Sequence, residues 1–216
     1  MFKIQITING KLPPRWRRSP DLCLIITFFA DVGVDINTEN RHIALKLTMS
    51  TKYKFTDAAA TYFATSTVVD WIDVFTREDY KTILLDSFRH CQQNQDLQIY
   101  ACVLMTNHFH VVYSCINGNE PGMVLKNIKS FTALKIIDAI IKNPKESRKD
   151  CLPAGEAGML SIFEENGRAK KTSYHYQFWQ HENHPVLLED HSMLEQRMTC
   201  VHENPVRAGF VALPEQ

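Results

Sequence analysis

The chain has 216 residues, 44% hydrophobic and 22% charged, which argues for one packed domain plus an extension and against two full domains. Its 24 lysines and arginines balance 24 aspartates and glutamates, so net charge by itself promotes no partner. No apolar run reaches the roughly 18 residues a membrane-spanning helix needs, so no membrane partner is expected.

The balance hides an asymmetry. Residues 1–48 hold seven basic and four acidic side chains, which leaves the remainder mildly acidic. A nucleic-acid groove would therefore need local clustering, and residues 126–171 offer ten lysines and arginines against six acids. The same stretch also reads as a solvated helix face. Six scattered cysteines form no C-x-x-C pair, which argues against a zinc or redox motif and points to a reduced, cytoplasmic setting.

Residues 1–48, with Pro13-Pro14 and clustered arginines, show no sustained periodicity. The apolar stretch Leu22–Val34 only faintly imitates a signal sequence, being late and interrupted by Asp31. Met49 opens MSTKYKF, which reads as a natural start, so the domain is expected over 49–216 and residues 1–48 are expected to lie outside it. Residues 61–71, β-branched and aromatic, read as a strand. Residues 77–93 read as an amphipathic helix, and 97–105 and 108–116 as two strands joined at Thr106-Asn107. A second helix is expected over 121–142, with Pro121 in its first turn and Val124, Leu125, Ile128, Phe131, Leu134, Ile137 and Ile141 along one face. An irregular insertion over roughly 143–172 precedes a strand near 176–188. A last helix runs from about Asp190 to His202, ended by Asn204-Pro205. The order β-α-β-β-α-β gives an α+β, ferredoxin-like antiparallel sheet with helices on one face. That fold hosts many functions, so function rests on the site.

His108 and His110 stand two apart in a strand and so emerge on one face, while Phe109 points into the other layer. Such a pair can share a divalent cation, or can simply sit on a half-exposed strand. Cys200 and Asn204 stand four apart on the last helix and share a face. An Asn204 amide oxygen suits magnesium or manganese, and equally caps a helix end. Lys126, Lys129 and Lys135 lie partly on the polar side of the second helix and can meet phosphates. Among Trp71, Tyr176, Phe178 and Trp179, which can fill core or stack on unpaired bases, Trp179 beside Gln180 and His181 is the candidate stacking residue. Arg207 can touch a phosphate or pair with Glu203. His181 and His184, three apart, take no role.

The runs YACVLMTNHFHVV (100–112) and HENPVRAGFV (202–211), with KSFTALKI (129–136) and FWQHENHPV (178–186) between them, resemble the REP-associated tyrosine transposases. These belong to the HUH single-tyrosine transposases, and the resemblance covers about 49–211. It implies a divalent metal, Mg or Mn, held by His108, His110 and Asn204, and recognition of single-stranded or hairpin DNA. It leaves monomer and homodimer open. The family's tyrosine attacks the scissile phosphate, forming a 5′-phosphotyrosine and releasing a 3′-hydroxyl. The matching position here is Cys200. A phenol oxygen reaches about 6.5 Å from its Cα and a thiol sulfur about 2.8 Å, so cleavage is expected to be severely impaired. Tyr174 and Tyr176 lie outside the motif. The family's sequences usually run on past AGFV, so the early stop at Gln216 suggests a gene remnant. A non-catalytic hairpin-binding regulator and a water-using phosphodiesterase remain as other readings.

Overall fold

A computed structural model describes residues 24–27, 55–151, 157–169, 175–181 and 183–212. Five strands form one antiparallel sheet: β1 (Leu24–Thr27), β2 (Tyr62–Thr67), β3 (Leu97–Leu104), β4 (His108–Cys115) and β5 (Val186–Leu187), in the spatial order β1-β3-β4-β2-β5. The helices are α1 (Glu78–Asn94), α2 (Pro121–Lys142), α3 (Met159–Ala169) and α4 (His191–Arg207). The last four strands, with α1 and α2 as crossovers, make the expected ferredoxin-like split unit. β1 adds a fifth strand beside β3, Leu24 facing Leu104, so this piece of the N-terminal extension joins the sheet edge.

Strand alternation divides the molecule into two layers. Tyr62, Ala64, Cys102, Leu104, Phe109, Val111 and Tyr113 pack with Leu84, Leu85 and Phe88 of α1 and Val124, Ile128 and Ile136 of α2. Phe63, Ala101, Val103 and Val112 point the other way and meet Val201, Leu194 and Met198 of α4. Helices on one face therefore describes α1 and α2, while α4 covers the opposite face. The Tyr62 hydroxyl accepts the backbone N–H groups of Thr56 and Asp57 at 2.9 Å, tying the segment before β2 to the core.

α1, β3, β4 and α2 fall within a residue or so of their expected bounds. The buried side of α2 differs from expectation. Phe131, Leu134 and Ile141 are exposed, and Thr132, Ile136 and Ile140 are buried instead. This helix is apolar on more than one side, so periodicity alone leaves its rotation open. Thr132 settles it. Its hydroxyl donates to the Ile128 carbonyl at 2.7 Å and accepts the Trp179 indole N–H at 3.1 Å, so a polar residue sits satisfied in the core.

Four further boundaries depart from expectation. The strand at 61–71 ends at Thr67, and a single helical turn follows at Val69–Trp71. Residues 159–169, placed in an irregular insertion, form α3, which buries Met159 and Phe163 four residues apart. The strand near 176–188 is reduced to β5 and one bridge from Trp179 to Val68, because His184 takes a left-handed φ of 41° ahead of Pro185. α4 also continues through Pro205 to Arg207. Pro205 sits in the final turn, where its missing N–H costs one intrahelical bond at a fraying end.

Candidate metal and nucleic-acid site

β4 presents His108 and His110 on the face that α4 covers. Their ring centroids are 4.9 Å apart at 70°. Phe109 between them is fully buried in the other layer, edge-on to Phe88 at 5.4 Å. His110 stands opposite Thr65 of β2 and Val103 of β3. Its Nδ1 lies 2.7 Å from Thr65 Oγ1, and its ring stacks on Phe63 at 5.4 Å.

His108 is oriented by the residue before it. Asn107 Nδ2 donates to the Trp71 carbonyl at 3.1 Å and to Asp73 Oδ1 at 2.9 Å, which turns its Oδ1 toward His108 Nδ1 at 2.7 Å. An amide oxygen only accepts, so His108 Nδ1 carries the proton and Nε2 carries the lone pair. That pattern suits metal-binding imidazoles, whose second nitrogen is engaged by an orienting partner. Burial pushes the His108 pKa down, opposed by the charge of Asp73. Burial, then His108 and Arg197, push His110 down to about 4. Both rings are therefore neutral near pH 7, as metal coordination requires.

Helical spacing sets Arg197, Cys200, Val201 and Asn204 on one side of α4. Val201 is fully buried against the sheet, while Arg197, Cys200 and Asn204 are half-buried. The Arg197 guanidinium lies 5.1 Å over the Phe63 ring, the same ring that His110 stacks against. Arg197 Nε is buried and has no hydrogen-bond partner among the described residues. The structure thus pairs His108 with His110 and sets Cys200 and Asn204 on the helix above the same sheet face. Among the described residues, no hydrogen bond or ring contact links Asn204 or Cys200 to either imidazole. Nor do three His, Cys, Asp or Glu side chains gather there into a cluster that could hold a metal ion. What the structure brings together here is the pair of imidazoles alone.

The other candidates fall nearby or away. Lys126 is exposed and Lys129 half-buried, and both line a cavity of about 200 Å³ with Ser130, Trp179, Gln180 and Asn183. Lys129 Nζ donates to the Gln180 carbonyl at 2.7 Å and to Asn183 Oδ1, and burial lowers its pKa to about 8. Trp179 is 5% exposed, stacked on Phe75 at 5.8 Å and edge-on to Phe109 at 5.5 Å. Its ring fills core and leaves no face for a base. Arg207 is exposed and pairs with Glu203. Sequence reasoning missed Thr65, Asp73, Asn107 and Arg197. Only Asn107, directly before the His-x-His pair, carried a positional signal.

No protein-family description matches the sequence, and no curated protein matches it. Among solved structures, the fold is similar to that of a REP-associated tyrosine transposase bound to a REP hairpin, with a TM-score of 0.50 and 13% identity. The match covers 76% of this chain and 77% of that one. At that identity the likeness concerns the fold.

Proposed function

We propose that this protein binds single-stranded or hairpin DNA as a transposase-like member of the HUH class, with strand cleavage impaired by the cysteine at its nucleophile position. The observation that carries the reading is the imidazole pair. His108 and His110 stand side by side, burial pushes the pKa of both down, and His108 is oriented through Nδ1 by Asn107. They sit in a fold shared with a transposase bound to a DNA hairpin.

His108, His110 and the Asn204 amide are the groups that would hold a divalent cation, Mg or Mn. The two imidazoles fit that role, since each engages Nδ1 with a neighbouring side chain. A bound cation supplies Lewis-acid polarisation of a phosphoryl oxygen. The protein's own contribution is to hold the imidazoles neutral and to bring the positive Arg197 over the same sheet face. Lys126 and Lys129 would supply cationic groups for phosphates at the cavity on the α2 side of the sheet. Cys200 shares a side of α4 with Asn204, as a nucleophile should, but its sulfur projects several Å less than a phenol oxygen.

The test combines hairpin binding, followed by fluorescence anisotropy with and without Mn²⁺, with a denaturing gel for covalent adducts. Metal-strengthened binding without adduct is the expected result. Robust adduct formation by the unaltered chain overturns the impaired-cleavage part, and absence of hairpin binding overturns the whole. Cys200 also favours a second reading, a non-catalytic hairpin-binding regulator or gene remnant. Steady multiple-turnover cleavage would point instead to a water nucleophile.

A further inference from the structure

Trp71 is 59% exposed, although an indole is a side chain that folding usually covers. It ends the helical turn Val69–Trp71 that follows β2. Asp70 and Trp71 both take left-handed backbone angles, with φ of 50° and 55°. Two successive non-glycine residues in that region are strained, and such strain persists only where the surroundings impose it.

Here the surroundings do impose it. Val69 N–H donates to the Phe178 carbonyl at 2.9 Å, and Trp71 N–H to the Val68 carbonyl at 3.2 Å. Asn166 of α3 donates to the Asp70 carboxylate at 2.7 Å. Asn107 Nδ2 donates to the Trp71 carbonyl at 3.1 Å. Three outside partners, Phe178, Asn166 and Asn107, together with the turn's own Trp71–Val68 bond, therefore hold one turn whose outward product is an exposed indole. That indole stands edge-on to His108, 5.8 Å between centroids at 75°. The Asn107 amide that grips the Trp71 backbone also receives the His108 Nδ1–H, so indole and imidazole are registered to each other through one side chain.

We infer that Trp71 is a stacking platform for one unpaired nucleobase of a strand whose phosphate lies at the His108–His110 pair. This rests on the DNA-binding reading above. The surface around the indole favours a base over the other contacts available to it. Asp70 and Asp73 flank Trp71, both exposed and acidic, so a phosphate is disfavoured over the indole itself. The uncharged, flat part of a nucleotide is what remains, and it matches the width of one indole. Stacking tolerates any base, so the platform positions a strand without reading its sequence.

The probes are a labelled DNA hairpin with an unpaired tail, the same hairpin with an abasic tail, and the blunt hairpin. For the unaltered chain the abasic tail is expected to bind about ten- to a hundredfold more weakly than the intact tail, the range for one stacked base. Trp71→Ala is expected to lose a similar factor on the intact tail and to become indifferent to base removal. The coupling between protein and DNA changes thus isolates the stack. Trp71→Phe keeps a ring, should retain most of the affinity, and should abolish the tail-induced quenching of tryptophan fluorescence. If Trp71→Ala does not fold, the abasic comparison and the Trp71→Phe quenching decide alone.

Equal binding of intact and abasic tails by the unaltered chain overturns the inference, as does Trp71→Ala with unchanged affinity or quenching that survives in Trp71→Phe. In each of those cases hairpin binding still stands. No binding of any hairpin by the unaltered chain overturns the DNA reading and this inference with it.

Discussion

The Nδ1–H of His108 meets the Oδ1 of Asn107 at 2.7 Å, and Asn107 in turn donates to Trp71 and Asp73. One amide, with both ends engaged, therefore sets the tautomer of an imidazole at the centre of the site. The tautomer follows from acceptor chemistry, since an amide oxygen offers no proton.

Asn107→Ala removes that orientation. The expected outcome is a tenfold to hundredfold loss of Mn²⁺ affinity, the usual cost of deleting an orienting partner, with the sheet retained. Asn107→Asp still accepts the imidazole N–H and should recover part of the loss. Mn²⁺ titration followed by electron paramagnetic resonance measures both variants, and unchanged affinity in Asn107→Ala would remove its positioning role.

Cys200→Tyr restores the longer nucleophile at a half-buried position on the α4 side that also carries Asn204. It is expected to form a covalent adduct with hairpin DNA under conditions where the unaltered chain forms none. A gel without adduct from a folded, hairpin-binding Cys200→Tyr variant would argue that the remaining site is also unfit for cleavage.

Arg197→Met keeps apolar bulk over Phe63 and removes the charge. Neutralising one phosphate contact lowers the slope of log affinity against log salt by about 0.7–0.9, so the variant should bind hairpin DNA with a slope shallower by about one contact. The measurement is anisotropy across a salt series. An identical slope would place Arg197 away from the backbone path.

Glu146 gives a pH prediction away from the site. Its side chain is fully buried, and burial opposes ionisation. Hydrogen bonds from Arg148 and Arg77 outweigh that and hold its carboxyl at about 2. Arg148 Nε and Nη2 reach it at 2.8 and 2.9 Å, and Arg77 donates through Nε. The folded-state value lies below the ordinary one, so its contribution is present above about 4.5 and lost as pH falls toward about 2. Glu146→Gln is expected to cost about 1–3 kcal/mol at neutral pH and to flatten the stability profile in that acid window. Urea unfolding between pH 7 and pH 2 measures it, and an unchanged acid profile would contradict the assignment.

The ferredoxin-like unit was legible because its long elements carry clear periods. β3 and β4 alternate, α1 is amphipathic, and Pro121 marks the start of α2. The His-x-His pair was legible for the same reason, since strand alternation alone puts both rings on one face. What surrounds it was not. Trp71 and Trp179 look alike in sequence, yet one is strained outward by a turn and the other is sealed by Thr132, Phe75 and Phe109. Those partners are distant in the chain, and no local pattern encodes them. Arg197 escaped notice because its meaning depends on Phe63, which reaches it only through packing of α4 across the sheet.

We propose that His108 and His110 jointly bind a divalent cation on the sheet face beneath α4. Pulsed electron paramagnetic resonance of Mn²⁺ bound to the protein–hairpin complex reads this coordination from the metal itself. Couplings to two imidazole nitrogens are expected, one lost in His108→Ala and the other in His110→Ala. A bound Mn²⁺ showing no imidazole coupling, or couplings that survive both substitutions, would contradict it.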